Sequence, residues 1–268
     1  MTETLLSDGP VLLDLDGGIA RLRLNRPEAS NSLNQALLEA LVEAMRLCGE
    51  AAGLRVLVVS GEGDNFCAGG DVKEFAAKGD GLPDYLRWAT AQLQIATRAM
   101  LDLPAPVIAL VQGWAAGGGG LGLVCAADLA IGTEGSRYIS GATRVGMAPD
   151  AGGSVTLAQI VGVRKAMELF LTNPTLTSDE ALRLGILNQL VADDELAVRG
   201  AELAAQLAAG PTLSFAETKR LVWAGLGRTV QDALDDEAET VSTLSATADS
   251  MEGLRAVIER RRPTYTGS

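Results

Sequence analysis

WAAGGGGLGLVCAAD, residues 114–128, sets four consecutive glycines in front of an apolar, helix-compatible run. Inside a helix glycine costs about 1 kcal/mol against alanine. Four in a row should not open a stable helix unless something must come close to the bare backbone. Upstream, VIALVQG (107–113) reads as a short buried strand, and downstream DLAIG (128–132) reads as another. The run thus sits in a strand–loop–helix–strand unit, and three uses fit it. One is a tight turn or close helix packing. A second is a set of backbone N–H donors at a helix start, carrying the positive end of the helix dipole and able to hold an oxygen that gains negative charge, an oxyanion hole. The third is phosphate binding, but GGGGLG lacks the GK[ST] of a P-loop, and no acidic residue follows a GxGxxG at dinucleotide spacing.

Working outward, the same kind of unit occurs earlier in the chain. RVLVVSG (55–61) is a buried-strand run, followed by the glycine-bearing loop EGDNFCAGGDVKEF (62–75). Two such loops are expected to be able to point backbone donors at one spot. VLLDLDGGIARLRLN (11–25) predicts two strands around Asp16-Gly17-Gly18. NQALLEALVEAMRLC (34–48) carries apolar residues at 37, 38, 41, 42 and 45, a helical stripe, and residues 84–102 also read as helix before Pro104 and Pro106. From about Asp193 the pattern is helical only, with four candidates at 195–209, 212–225, 229–244 and 250–261. Short apolar strands alternating with helices predict an α/β core of parallel βα units. The expected division is a core over 1–192 and a helical region over 193–268.

Composition narrows the chemistry. The 268 residues are 47% hydrophobic and 21% charged, which suits a globular chain with a sizeable core. A net charge of −12 argues against a nucleic-acid backbone or an anionic membrane as the main partner. The N-terminal MTETLLSDGP has neither a basic n-region nor an apolar h-region, and no apolar run is long enough to span a bilayer. Cys48, Cys67 and Cys125 form no CxxC pair and read as buried small apolar residues in a reducing, cytoplasmic setting. There is no histidine. That removes Ser-His-Asp and Cys-His catalysis and histidine metal sites, so proton transfer falls to carboxylates, Lys, Tyr, Cys or backbone dipoles. No metal is expected.

Five ordered stretches carry a resemblance. LNRPEASNSLN (24–34), FCAGGDVKEF (66–75), VQGWAAGGGGLGLVCAADLAI (111–131), VGMAPDAGG (145–153) and GVRKAMELFLTNPTLTSDEALRLGILNQLV (162–191) resemble the crotonase family of enoyl-CoA hydratases and isomerases. The resemblance covers roughly residues 10–262. It implies a spiral of ββα units with a C-terminal helical trimerisation region, giving homotrimers or homohexamers. It implies an acyl-CoA thioester as substrate, with coenzyme A part of that substrate and no separate cofactor. Two backbone N–H groups polarise the thioester carbonyl in this family. Their positions fall on Gly70 and, counted back from Asp128, on Gly119. Counted forward from Gly113 the second falls on Gly118, because this loop is one residue longer than usual. Ala68 and Asp71 fall where the family holds the adenine end of CoA, and Arg26 where a basic side chain approaches its phosphates. Asp71 also reads as a cap of the helix that follows.

The resemblance withholds the hydratase acid–base pair. Its two glutamate positions fall on Gly122 and Ala142, and neither side chain can carry a proton. The remaining acid is Asp150, where several isomerases of the family have a carboxylate. One carboxylate suffices to move a double bond, taking a proton from the α-carbon and returning it to the γ-carbon. The alternative reading makes Asp150 the N-cap of the helix AGGSVTLAQIVG (151–162). The stretch AMELFLTNPTL resembles the aryl-CoA dehalogenase branch, whose mechanism needs the histidine this chain lacks. Hydration by a non-standard mechanism and a non-catalytic acyl-CoA-binding subunit are further alternatives. Glu74 reads as a solvated helix residue and Asp128 as structural.

Overall fold

The computed structural model describes residues 2–268. Strand β1 (Glu3–Leu6), exposed or half-buried throughout, runs antiparallel to β2 (Val11–Asp16), and the largely alternating buried residues of β2 and β3 (Ile19–Leu24) form an antiparallel hairpin across the expected turn. Helix α1 (Gln35–Glu50) begins where the Asn34 side chain accepts from Leu37 N–H at 2.9 Å, and it buries its stripe Leu37, Leu38, Leu41 and Met45. Strand β4 (Val56–Gly61) then joins β3 in parallel. Helices α2 (Val72–Ala77) and α3 (Leu82–Asp102) lead to β5 (Val107–Val111), parallel to β4. A short strand β6 (Trp114–Ala116) and helix α4 (Leu123–Ala126) lead to β7 (Leu129–Thr133), parallel to β5.

The second half adds β8 (Arg137–Ile139), helices α5 (Gly153–Val161) and α6 (Val163–Thr172), β9 (Leu176–Thr177), α7 (Ser178–Arg183) and β10 (Gln189–Val191). Helices α8 (Leu196–Ala208), α9 (Thr212–Gly225), α10 (Val230–Leu244) and α11 (Ala248–Glu259) complete the chain. The main sheet has seven strands in the order β1-β2-β3-β4-β5-β7-β10, and a small sheet has the order β6-β8-β9. This is the α/β class that the alternation of strands and helices implied.

Both faces of the main sheet are covered. Leu57, Val59, Val107 and Ala109 face the core under α1 and α3, while Val56, Val58, Ile108 and Ile131 pack with Leu196 and Ala204 of α8. Two-sided burial explains why these strands read as continuous apolar runs rather than alternating ones. All three cysteines are free and buried, as their spacing suggested. Among the described residues no helix is long and apolar enough to cross a membrane.

Candidate active site

The two glycine-bearing loops lie side by side. Cys67 N–H donates to the Trp114 carbonyl and Ala116 N–H to the Cys67 carbonyl, each at 2.9 Å. On the other flank Leu33 N–H donates to the Gly69 carbonyl at 2.8 Å, and Asp71 N–H donates to the Leu33 carbonyl at 3.0 Å. Those bonds use the groups on either side of Gly70. Successive amides of an extended segment point to opposite sides, so the Gly70 N–H faces away from Leu33. Gly70 lines a cavity of about 310 Å³. Asn31 pins the arrangement from below. Buried completely, it donates to the carbonyls of Glu62 (3.0 Å) and Asn65 (2.7 Å), accepts from Arg26 N–H (2.8 Å), and its own carbonyl takes the Cys67 thiol at 3.1 Å. Burial pushes that thiol up to about 12, so Cys67 stays a neutral packing group.

The glycine run does open a helix, by way of a π-helical turn over Gly118–Gly122 in which Gly122 N–H donates to the Gly117 carbonyl at 3.0 Å. The first amides of a helix have no acceptor within it, which leaves those of Gly118 and Gly119 free beside the cavity that both residues line. The bareness of the backbone has several causes. A methyl on Gly118 would overlap Asp150 Oδ1, one on Gly119 would overlap Leu33, and one on Gly120 would overlap the Cys67 carbonyl. Thus Gly118 admits a carboxylate, Gly119 admits Leu33, and Gly120 admits the neighbouring loop. The close-packing and open-amide readings of the run both hold.

Asp150 does not cap a helix. Ala151 (φ 50°) and Gly152 (φ 73°) adopt left-handed conformations, and α5 starts only at Gly153, with no side-chain cap. A buried alanine in that region is strained by about 1–2 kcal/mol. The Asp150 side chain lies against Gly118 and not over the first turn of α5. No other described residue hydrogen-bonds its carboxylate. Burial raises its pKa from the ordinary carboxylate value, opposed only by its own backbone amide. The cavity wall is mostly apolar, with Leu38, Phe75, Leu93 and Met147 among its residues, and Asp150 is its only titratable side chain. Thr90 also lines it, but its hydroxyl is already donated to the Leu86 carbonyl at 2.7 Å.

Ala68 lines the same cavity, with its N–H donated to the Ser30 carbonyl at 2.9 Å. Asp71 caps α2, its Oδ1 accepting from the amides of Lys73 and Glu74 at 3.2 Å each. Its Oδ2 lies 3.2 Å from Arg26 Nη2, and Arg26 also donates to the Ser32 carbonyl. The structure therefore gathers Ala68, Gly70, Gly118, Gly119 and Asp150 around one cavity and ties Arg26 to Asp71 beside it. Glu74 is not free in solvent, since it pairs with Lys78 at 3.1 Å and accepts from Gln35 N–H at 3.2 Å. Asp128 is structural, paired with buried Lys219 of α9 at 2.9 Å. Ser140, which no sequence motif flags, also lines the cavity and is only 6% exposed.

Similarity to known proteins points the same way as this geometry. The family model described as Enoyl-CoA hydratase/isomerase matches residues 14–268. The Rhodobacter capsulatus protein named "Probable enoyl-CoA hydratase" is 36% identical over 95% of this chain and 96% of its own length. The Streptococcus mutans trans-2-decenoyl-[acyl-carrier-protein] isomerase is 32% identical over 96% of this chain and 98% of its own. Among solved structures, an enoyl-CoA hydratase from Mycobacterium smegmatis superposes with a TM-score of 0.89 at 32% identity, covering 96% of this chain and 99% of that one. Matched in sequence over almost its whole length and in fold throughout, the chain belongs to the enoyl-CoA hydratase/isomerase family.

Proposed function

We propose that this member of the family is an enoyl-CoA isomerase that moves a double bond through a thioester enolate. The observation that carries the reading is the lining of the cavity: one desolvated carboxyl, Asp150, set against the free amides of a helix start. A 3-enoyl-CoA binds with its thioester oxygen at the N–H groups of Gly70 and Gly119, with Gly118 the neighbouring donor. Asp150 takes the α-proton. The electron pair of that C–H bond enters the conjugated dienolate, and its charge on oxygen is held by the two amides. Asp150 then returns the proton to the γ-carbon, and the double bond has moved from β,γ to α,β. Ala68, and Arg26 and Asp71 beside it, flank the CoA portion, and coenzyme A enters and leaves as part of the substrate. Gly122 and Ala142 leave no second carboxyl to place water, which supports isomerisation over hydration. The absence of histidine from the sequence disfavours hydrolytic dehalogenation.

The protein acts as a homotrimer or homohexamer through its helical region, residues 193–268. The apolar side chains that α10 and α11 present to solvent, including Val230, Val257 and Ile258, support this.

Asp150→Asn tests the chemistry. Asparagine is close to isosteric, so the cavity persists while the proton carrier is lost. Conversion of a 3-enoyl-CoA to its 2-enoyl isomer should fall about 100- to 10,000-fold. Proton exchange at the α-carbon in D2O separates an enzyme from a mere acyl-CoA binder, which would show affinity without exchange. Undiminished isomerisation by Asp150→Asn would sink the proposal.

A further inference from the structure

Behind Asp150 lies a second space, of about 20 Å³, walled mainly by Leu121, Gly122, Cys125, Leu157 and Phe170. Gly122 and Ala142 both form part of its wall. A space needs about 10–15 Å³ to hold a water molecule, so one fits here. The only oxygen-bearing side chains that line it are those of Asp150 and Ser140, and both line the main cavity too. Ser140 follows directly on β8, where the Ile139 carbonyl is fixed by Gly117 N–H at 3.0 Å. It is 6% exposed, and its hydroxyl has no partner among the described residues. The hydroxyl is therefore open to these spaces and to any water they hold. The Asp150 carboxylate, equally, receives no bond from another residue. Two polar groups without partners thus bound the same two spaces.

We infer that Ser140 is a positioning residue for Asp150, its hydroxyl donating to the ionised carboxylate through one water in the space behind it. Donation holds the carboxylate towards the cavity and favours its charged form, the form that accepts a proton. The contact itself does not depend on the isomerase reading; its kinetic consequence does. Few other charges bear on Asp150. Cys125 lines the small space, but burial pushes its thiol up to about 12. On the flanking segments Arg144 and Arg164 are exposed, and Lys165 is paired with Glu168 at 2.7 Å; α5 carries no titratable residue.

The test titrates the Asp150 carboxyl by carbon-13 NMR in aspartate-labelled protein, with Asp150→Asn assigning the signal. Ser140→Ala deletes a single oxygen, and circular dichroism checks that the fold is kept. Its Asp150 midpoint should rise by about half to one pH unit, and Ser140→Thr, which keeps the hydroxyl, should restore the wild-type midpoint. In the isomerase assay Ser140→Ala should lower kcat about tenfold or more with KM changed less than about twofold. An unchanged Asp150 midpoint in Ser140→Ala overturns the inference, whatever the protein catalyses. If instead Asp150→Asn retains full isomerase turnover, the isomerase reading fails while the titration still decides the role of Ser140.

Discussion

Asp150 shows at the residue scale how a site sets reactivity against stability. Burial pushes its pKa above the ordinary value, so the folded chain holds that proton more tightly than the unfolded chain. Ionisation above the folded pKa therefore subtracts stability, and the loss is absent below the unfolded value of about 4. Asp150→Asn should accordingly be more stable than wild type at pH 7 and equal to it near pH 3.5, as read from denaturant midpoints. A variant equally stable at both pH values would mean that the carboxyl is not desolvated. Gly118 gives the complementary case. A methyl there overlaps the free end of the Asp150 side chain, which can swing aside. Gly118→Ala should cost little in melting temperature and, by misplacing Asp150, about 100-fold in turnover. As a control, Gly49→Ala in α1 meets no atom within 4 Å and should stabilise by up to about 1 kcal/mol. The glycines and Asp150 were legible because their order and spacing form motifs. Ser140 was not, since a lone serine after a strand carries no spacing signal. Nor could the sequence show that Ala151 and Gly152 turn left-handed and push the helix start past Asp150.

Single elements were read best where many residues repeat one pattern. The stripe of α1, the apolar runs of β4, β5 and β7, and the four C-terminal helices all fall within a few residues of their sequence ranges. The strands β6, β8 and β9 went unread because each has only two or three residues and is defined by its partner rather than by its own periodicity. Docking of α9 likewise rests on one pair far apart in sequence. Lys219 Nζ lies 2.9 Å from Asp128 Oδ2 and donates to the Met100 carbonyl at 2.7 Å, and Asp128 also accepts from Val107 N–H at 2.8 Å. Burial lowers the pKa of Lys219, and Asp128 opposes that shift. Lys219→Met strands a half-buried carboxylate and should cost about 3–5 kcal/mol. Adding Asp128→Asn removes the stranded charge but keeps an acceptor for Val107, so the double variant should recover part of the loss. Additive losses in the two variants would show that the charges are not coupled.

For the whole molecule, the parallel core was legible from the order of strands and helices. The closing of its loops around one cavity was not, because that depends on contacts such as Asn31 to Asn65 and Leu33 to Gly69 that join distant segments. The π-helical turn over Gly118–Gly122 has a consequence for how such a protein can change. A π-turn holds one residue more than an α-turn, so a single insertion is taken up locally and the strands on either side keep their register. Deleting one glycine from Gly117–Gly120 should therefore convert the turn to α-helical and leave the protein folded, with a melting temperature within a few degrees of wild type by calorimetry. Turnover or substrate preference should change far more. A one-residue deletion inside β5, which pairs on both sides, should prevent folding altogether. The turn thus works as a length buffer, where a lineage can gain or shed a residue and re-aim an amide at its substrate while the scaffold stays out of reach of the change.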